Sequence, residues 1–212
     1  MNIHATHLLR MLNKDKLDTL LRNGQKKFYP KNTFIINEGD MSPCAFVINS
    51  GKVEILLCDE QGKEIVLSIL KQGEHFGEMS LIDGDARSAA VKAVEDTELT
   101  IISKESFRGC LRAYPEIAEQ IMLGLVTRLR EANRKISSLA LMDVHSRVAN
   151  MLNDFAKEKD GQLVIEEKLT HQHIANIVGA SREMISRILR EMVADGRIKI
   201  DRKRIIILKK IP

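Results

Sequence analysis

Two clusters of polar residues in this 212-residue chain have types and spacings that suit specific chemistry. The first lies in residues 73–81 and continues at residues 87 and 88. Gly77 allows a ligand to approach the backbone closely, Glu78 can accept a hydrogen bond from a sugar hydroxyl, and Arg87 can bind a phosphate. The Ser88 hydroxyl and nearby backbone N–H groups can complete an anion cradle. The alternative interpretation is a β-turn beside an incidental surface arginine.

The second cluster lies in residues 169–190, whose apolar spacing predicts two short helices joined by a tight turn. Gly179 stands where the chain reverses, in a conformation with positive φ that glycine adopts at low cost. Arg182, Glu183 and Arg187 then follow on the polar front of the second helix. Two guanidinium groups and a carboxylate in this position suit base edges in a DNA major groove. The alternative is an ordinary pair of packed helices with charged outer faces.

The composition is typical of a globular protein of one or two domains, with 44% hydrophobic and 29% charged residues. No apolar run approaches the ~20 residues that span a bilayer, and the first residues lack a secretory signal pattern. The three cysteines are odd in number and widely spaced, which favours a reducing compartment. We therefore expect a cytoplasmic protein without a membrane partner.

Positive charge is concentrated in the last third of the chain. Residues 144–212 carry 14 Lys/Arg against 9 Asp/Glu, a balance of +5, and they include the predicted helix pair. Residues 1–143 carry 19 against 20, a balance of −1. This asymmetry supports nucleic-acid binding by the C-terminal part.

The elements that must position the first cluster are predicted to be β-strands. Residues 7–22 have helical periodicity, and the pattern then changes to short β-rich runs separated by turn residues until about residue 103. The clearest runs are 33–36, 45–48, 52–57, 64–70, 89–94 and 98–102. Their regular spacing indicates a closed antiparallel structure, either a barrel or a jelly roll.

A long helix is predicted over residues 114–141. The three-four spacing of its apolar residues is typical of the seam of a two-stranded coiled coil. The seam residues are Ile121, Leu125, Leu129, Ala132, Ile136 and Leu139. The alternative is a helix that packs only on its own β domain.

The C-terminal part is predicted to form a winged helix-turn-helix. Asp143 can cap a new helix over residues 144–157, which makes Met142–Asp143 a candidate hinge. Residues 163–169 and 197–208 are predicted as short strands, the second forming a hairpin.

Residues 51–81, 83–91 and 139–190 together resemble the cyclic-AMP receptor (catabolite activator) family of bacterial transcription factors, and the resemblance extends over nearly the whole chain. It implies an α+β fold, with an N-terminal β-roll (jelly-roll) cyclic-nucleotide-binding domain, a long dimerisation helix and a C-terminal winged helix-turn-helix. The domains would be residues 1–142 and 143–212. It further implies a homodimer without enzymatic activity that binds double-stranded DNA, responds to cAMP and contacts RNA polymerase.

The resemblance assigns roles to the first cluster. Glu78 would hold the ribose hydroxyl, Arg87 and Ser88 the cyclic phosphate, and Gly77 would provide a backbone contact. Members that respond to cAMP have hydroxyl residues facing the purine from the long helix, where this chain has Ala132 and Asn133.

This departure bears on the choice of ligand. Asn133 can hydrogen-bond an adenine edge, whereas Ala132 cannot, and one lost contact costs ~1 kcal/mol, roughly fivefold in affinity. The alternatives are a regulator that answers cyclic di-GMP or that needs no ligand, and a nucleotide-binding module that controls a partner protein.

On the DNA side, Arg182, Glu183 and Arg187 match the base-reading positions of the family. The resemblance implies TGTGA-like half-sites in an inverted repeat about one helical turn apart. Phosphate contacts are expected from Ser181, His171, Gln172 and Lys203. No metal site is expected, because the pair of histidines at 171 and 173 has no cysteine or acidic partner at ligand spacing.

Overall fold

The contacts within the chain divide it into two units. A computed structural model describes residues 24–201 and 204–209. The first unit is formed by residues up to Asp59 together with Leu67–Ala132, and the second by Glu60–Val66 together with residues from Asn133 onward. The helices predicted within residues 7–22, and the predicted DNA contact Lys203, lie outside the described residues.

Eight strands make up the β-rich part, in two four-stranded antiparallel sheets. One sheet has the order β1-β8-β3-β6 and the other β2-β7-β4-β5. The strands are β1 (Gln25–Tyr29), β2 (Phe34–Ile36), β3 (Cys44–Ser50), β4 (Lys52–Cys58), β5 (Glu64–Lys71), β6 (His75–Phe76), β7 (Ala90–Ala93) and β8 (Thr97–Ser103). All six predicted runs are observed, and the predicted β-roll is confirmed. The two strands that the sequence did not indicate are β1, which is rich in lysine, and β6, which has two residues.

Strand β3 shows how the core of the first unit is built, since its successive side chains point to opposite faces. Ala45 and Val47 belong to the apolar cluster that includes the helices, whereas Phe46 and Ile48 belong to the cluster between the sheets. The Phe46 ring stacks on Phe76 of β6, with 4.9 Å between centroids. This stacking fixes the strand that leads into the first polar cluster.

Among the described residues, three helices accompany these strands: α1 (Met79–Ile82), α2 (Lys104–Ala113) and α3 (Pro115–Leu141). The bounds of α3 confirm the predicted long helix, which starts with a proline as helices often do. One part of the seam prediction is wrong, because Ile121 is 4% exposed and packs in the core of the first unit. Met122, which is 58% exposed, takes its place on the outer face.

The second unit contains the predicted winged helix-turn-helix. Its helices are α4 (Val144–Phe155), α5 (His171–Val178) and α6 (Arg182–Ala194). Its sheet has the order β11-β12-β10-β9 and consists of β9 (Lys157–Lys159), β10 (Gln162–Ile165), β11 (Ile198–Asp201) and β12 (Arg204–Ile207). Asp143 caps α4 as predicted, accepting a hydrogen bond from the Ser146 N–H at 2.7 Å. This bond holds the pKa of the Asp143 carboxyl below its ordinary value.

A single apolar core holds the second unit together. It combines the inner faces of α4, α5 and α6 with the apolar residues of the sheet. Val148, Leu152, Ile174, Ile185 and Met192 are all completely buried in it. The base-reading candidates therefore project from a helix whose opposite face is fixed by packing.

Candidate functional site

The turn after β6 requires a glycine at position 77. Gly77 has φ = 81°, and a Cβ at this position would lie 2.7 Å from Nη1 of Arg87 and 3.3 Å from the carbonyl oxygen of Cys44. Any side chain here would collide with the guanidinium group. The structure thus brings Gly77 and Arg87 together, as the sequence predicted, although they are ten residues apart.

Arg87 is 4% exposed and lies at the centre of a polar cluster. Its Nη1 donates to the Gly77 carbonyl oxygen at 2.6 Å and to the Ser80 hydroxyl at 2.7 Å. Its Nε donates to the Ser42 hydroxyl at 3.0 Å, and its Nη2 to the Cys44 carbonyl oxygen at 2.5 Å. Ser42 and Cys44 come from the segment that enters β3. The cluster therefore joins three distant parts of the chain around one positive charge.

Glu78 is 1% exposed and forms an ion pair that was not predicted from the sequence. Its Oε1 lies 2.6 Å from Nη1 of Arg128, which is on α3 and also donates to the His75 carbonyl oxygen. The second carboxylate oxygen, Oε2, is buried and has no hydrogen-bond partner among the described residues. A buried acceptor of this kind fits a ligand hydroxyl, because an unmade hydrogen bond costs about 1–3 kcal/mol.

His75 is the other buried titratable group next to this pair. Burial lowers its pKa from 6.5 to about 4, with the Arg128 charge acting in the same direction and Glu78 opposing it. The ring packs toward α3, with Cε1 3.8 Å from the position that a Cβ on Gly124 would occupy. The imidazole is therefore neutral at physiological pH.

The other predicted ligand residues lie at the surface. Ser88 is exposed, and its hydroxyl lies 3.9 Å from the Met79 sulfur. Ala132 and Asn133 are exposed on α3, at the point where the first unit ends and the second begins. The roles assigned to these three residues stay predictions.

Ser42 and Arg128 were not predicted as site residues because they belong to no motif and their partners are 45 and 50 residues away in the chain. Ser80 lies within the first cluster, seven residues from Arg87, but no role was predicted for it. One signal was available for Arg128, since it precedes Ala132 by one helical turn and thus shares its face.

Helix α6, the candidate recognition helix of the second unit, has the geometry that the sequence predicted. Gly179 adopts φ = 68° at the end of α5, and the Ser181 hydroxyl caps α6 by accepting from the Met184 N–H at 3.2 Å. Arg182 and Glu183 are exposed in its first turn.

Arg187 lies one turn further along the same helix. Its side chain is 64% exposed, and Nε is 3.9 Å from Oε1 of Glu191. An exposed ion pair at this distance contributes little to stability. The guanidinium group is therefore available to a partner at little cost.

The predicted phosphate contacts near the start of α5 also take part in hydrogen bonds within the unit. His171 Nδ1 lies 2.7 Å from the Ser186 hydroxyl, and Gln172 donates to Asn176 at 2.8 Å. The His171 contact links the two helices of the motif, whereas the Gln172 bond lies within α5.

A basic side chain from α3 also stabilises the helix-turn-helix. Lys135 donates to the carbonyl oxygen of Ile177 in the last turn of α5. A cation at a helix C-terminus is favourable, because the carbonyl groups there have no partners within the helix. Burial lowers the pKa of the Lys135 ammonium group.

Two features are absent from the part of the chain that the structure describes. In residues 24–201 and 204–209, no three or more His, Cys, Asp or Glu side chains are grouped so that they could hold a metal ion. Across the same residues, no helix has both the length and the apolar character needed to cross a bilayer.

Comparison with known families matches both parts of the chain. Residues 26–114 match the cyclic nucleotide-binding domain, and residues 146–210 match the Crp-like helix-turn-helix domain. The first match contains Gly77, Glu78 and Arg87, and the second contains the whole recognition helix. The two matched domains are thus the ones that hold the two polar clusters.

Individual relatives match over most of their length. The cyclic AMP receptor protein of Thermus thermophilus is 33% identical, over 91% of this chain and 88% of the relative. The cAMP-activated global transcriptional regulator CRP of Escherichia coli is 34% identical, over 84% of this chain and 87% of the relative. Among solved structures, the c-di-GMP-responsive global regulator CLP of Xanthomonas campestris superposes with a TM-score of 0.83 at 29% identity, covering 93% of this chain and all of that one. The chain therefore belongs to the CRP/FNR family of cyclic nucleotide-binding transcription regulators, whose members are not enzymes.

Proposed function

We propose that this chain is a homodimeric regulator whose sequence-specific binding to DNA is controlled by cAMP. The observation that supports this proposal best is the buried carboxylate of Glu78, whose Oε2 has no partner among the described residues. A ribose hydroxyl would supply the missing donor. Arg128 neutralises the charge of the same carboxylate, so the site can accept a hydroxyl without burying a second unpaired charge.

The phosphate of the ligand would bind beside Arg87 and Ser88. Arg87 lies within hydrogen-bond distance of the backbone that carries Glu78, because its Nη1 contacts the Gly77 carbonyl oxygen at 2.6 Å. Adjacent ribose and phosphate groups are what a 3′,5′-cyclic nucleotide presents. The arrangement thus supports a ligand that combines both groups within a few ångströms.

The ligand would act on α3 through Arg128, which donates both to Glu78 and to the His75 carbonyl oxygen. A hydroxyl bound at Glu78 changes the environment of this ion pair and so favours one position of α3 over another. A ligand can shift such an equilibrium only by its difference in affinity for the two arrangements.

Two alternatives to control by cAMP remain. In the first, cyclic di-GMP is the ligand, and in the second the regulator needs no ligand. Ala132 lacks the hydroxyl that would face the purine, which weakens the case for cAMP. The solved relative from Xanthomonas campestris is described as c-di-GMP responsive. Both alternatives keep the DNA-binding function and change only the signal.

Dimerisation is proposed to use the outer face of α3. Three residues recur there at a spacing of seven, and all are well exposed: Met122 at 58%, Leu129 at 62% and Ile136 at 63%. This heptad repeat, with Leu125 and Ala132 between its members, is the pattern of a two-stranded coiled coil. An exposed apolar stripe of this length favours burial against a second copy.

DNA would be bound by α6 in the major groove. Arg182 and Arg187 would read guanine and Glu183 cytosine in TGTGA-like half-sites, and the two subunits would bind an inverted repeat. Phosphate contacts would come from Ser181, His171, Gln172 and Lys203. The boundary between the ligand-binding domain and the DNA-binding domain is proposed to lie at Met142–Asp143. RNA polymerase is proposed as a further partner.

Fluorescence anisotropy of a labelled duplex with two inverted TGTGA-like half-sites tests the proposal. The protein is added stepwise to the duplex at fixed salt, in the presence of cAMP, cyclic GMP or cyclic di-GMP, or without a ligand. The same titrations with a scrambled duplex measure non-specific binding. We expect selective binding only with cAMP. Selective binding only with cyclic di-GMP, or equally tight binding without ligand, would replace cAMP with the corresponding alternative. A lack of preference for the specific duplex would contradict the DNA-reading role and favour the control of a partner protein.

The dimer is tested separately by analytical ultracentrifugation of Leu129→Glu. A charge in the centre of the apolar stripe should convert the dimer to monomers, because the carboxylate would be buried in the seam. Glu119→Gln on the same helix, outside the stripe, is the control and should remain dimeric. A dimer that persists in Leu129→Glu would contradict this seam.

A further inference from the structure

The five N–H groups of the Arg87 guanidinium all have acceptors within the protein. Nε binds the Ser42 hydroxyl, and Nη1 binds the Ser80 hydroxyl and the Gly77 carbonyl oxygen. Nη2 binds the carbonyl oxygen of Cys44 and lies 3.6 Å from its sulfur. Arg87 is therefore held in one orientation, and a phosphate that binds it must share or replace some of these acceptors.

The acceptors differ in how they would respond to a phosphate. The carbonyl oxygens of Gly77 and Cys44 can only accept, and they belong to the backbone. The Ser42 and Ser80 hydroxyls can both accept and donate, and they are side chains that can rotate. Both serines are partly exposed, whereas Arg87 is 4% exposed. The serines are thus the part of the cluster that can adapt to a bound anion.

From this we infer that Ser42 and Ser80 are positioning residues for the phosphate site, which they serve by holding Arg87 in the orientation that binds the ligand. The inference rests on the proposed function, because it assigns these residues to the same nucleotide site. Neither serine was part of the predicted ligand site, which contained only Ser88 as a hydroxyl group.

The geometry favours a role in positioning over one in general stability. Ser80 holds one terminal nitrogen and also points its hydroxyl at the Gly77 carbonyl oxygen at 3.4 Å. Ser42 holds Nε, on another edge of the planar group. Contacts on two edges restrict rotation of the guanidinium, which keeps its plane fixed relative to the backbone that carries Glu78.

Isothermal titration calorimetry with cAMP and with cyclic di-GMP tests the inference on the full chain. We compare the wild type with Ser80→Ala and Ser42→Ala, and expect each variant to bind the nucleotide roughly fivefold more weakly. Ser80→Thr and Ser42→Thr keep the hydroxyl and should restore most of the affinity. Ser106→Ala is the matched control, because it removes a hydroxyl from α2 without any contact to Arg87.

A double-mutant cycle separates positioning from a structural role. If Ser80 acts through Arg87, then Ser80→Ala should have little further effect on affinity in the Arg87→Lys background. An equal loss in both backgrounds would overturn the inference, since Ser80 would then act independently of Arg87. A second cycle, of Ser42→Ala with Arg87→Lys, makes the same comparison for the serine that precedes β3. Chemical denaturation of each variant shows whether its fold is intact.

The failure of the inference and the failure of the proposed function have different signatures. If the wild type binds a nucleotide and both serine variants bind it equally well, the positioning role is wrong while the nucleotide site stands. If the wild type binds neither nucleotide, the proposed ligand control is wrong and the positioning role is overturned with it.

Discussion

The two polar clusters of this protein are built in opposite ways. In the first cluster, the proposed nucleotide site, Glu78 and Arg87 are 1% and 4% exposed, and each is hydrogen-bonded to parts of the chain far away in sequence. In the recognition helix, Arg187 has a side chain that is 64% exposed, and its nearest acidic partner is four residues away. The polar groups of the first cluster are held by contacts with distant residues, whereas those of α6 project outward from a helix that is capped locally and packed on its opposite face.

This difference has consequences for how each site binds its partner. Buried groups with fixed partners are preorganised, so little conformational entropy is lost when a small ligand binds. Exposed arginines on a rigid helix keep their conformational freedom until a partner binds, and under the proposed function the base edges of DNA would fix them. We therefore expect substitutions in the first site to change both stability and binding, and substitutions in the second to change binding alone.

The largest expected effect is that of Arg87→Ala. The loss of the guanidinium removes the proposed phosphate contact and takes one donor from each of the carbonyl oxygens of Gly77 and Cys44. We expect nucleotide affinity to fall by about 100-fold or more and the free energy of unfolding by about 2–3 kcal/mol. Calorimetry and urea denaturation measure the two quantities. Arg187→Ala is the control and should change neither the nucleotide affinity nor the free energy of unfolding. An unaltered nucleotide affinity in Arg87→Ala would show that Arg87 does not bind the phosphate.

The next effect is a dependence of stability on pH, which we expect from the buried His75 beside the first cluster. Its pKa is about 4 in the folded protein against an ordinary 6.5, so below pH 6.5 the unfolded chain binds a proton that the folded protein does not. The free energy of unfolding is therefore unaffected by the titration of His75 above pH 6.5. It decreases as the pH falls from 6.5 toward 4, by a total of about 3 kcal/mol.

This pH dependence is measured by urea denaturation at several pH values between 7 and 4. Because Asp and Glu residues also titrate in the lower part of this range, the relevant quantity is the difference between the wild type and His75→Phe. The wild type should lose more stability than the variant between pH 6.5 and 4. Parallel curves would show that His75 is not buried as described.

A smaller effect is expected for Arg187→Ala on DNA. Removal of a bidentate contact to a base should cost ~1–3 kcal/mol on the specific duplex and relax the preference at one base pair. Anisotropy titrations with single-base variants of the half-site measure this change. An equal loss on the scrambled duplex would mean that Arg187 contacts only phosphate.

The smallest expected effect is that of Ala132→Thr, which restores a hydroxyl on the exposed face of α3. If cAMP is the ligand, its affinity should rise by roughly fivefold, because one hydrogen bond is worth about 1 kcal/mol. Ala140→Thr, near the end of the same helix, is the control. A gain for neither cAMP nor cyclic di-GMP would show that the base does not reach position 132.

Much of the fold could be predicted because its signals are local. The turn at Gly179, the caps at Ser181 and Asp143, and the period of the long helix each depend on a few neighbouring residues. Strand β6 gave no such signal, since two residues cannot show an alternating pattern. Strand β1 was missed because Lys26 and Lys27 interrupt the apolar alternation.

The helix seam shows the limit of reasoning from periodicity. Ile121 and Met122 are adjacent in the sequence, and the apolar spacing alone assigned Ile121 to the outer face. The structure packs Ile121 against the core of the first unit and exposes Met122. A helix that faces two partners has two apolar stripes, and only the packing of the β-roll determines which residue belongs to which stripe.

The sequence by itself determined most elements of this protein and the residue types of its two polar clusters. Helix caps, turn glycines and the glutamate and arginines of the two clusters follow from short-range physics, so they are visible in a linear pattern. Only the tertiary structure decided which groups meet: Arg128 with Glu78, and Ser42 and Ser80 with Arg87. Such contacts depend on burial and on the pairing of distant strands and helices, and no local pattern of residues encodes them.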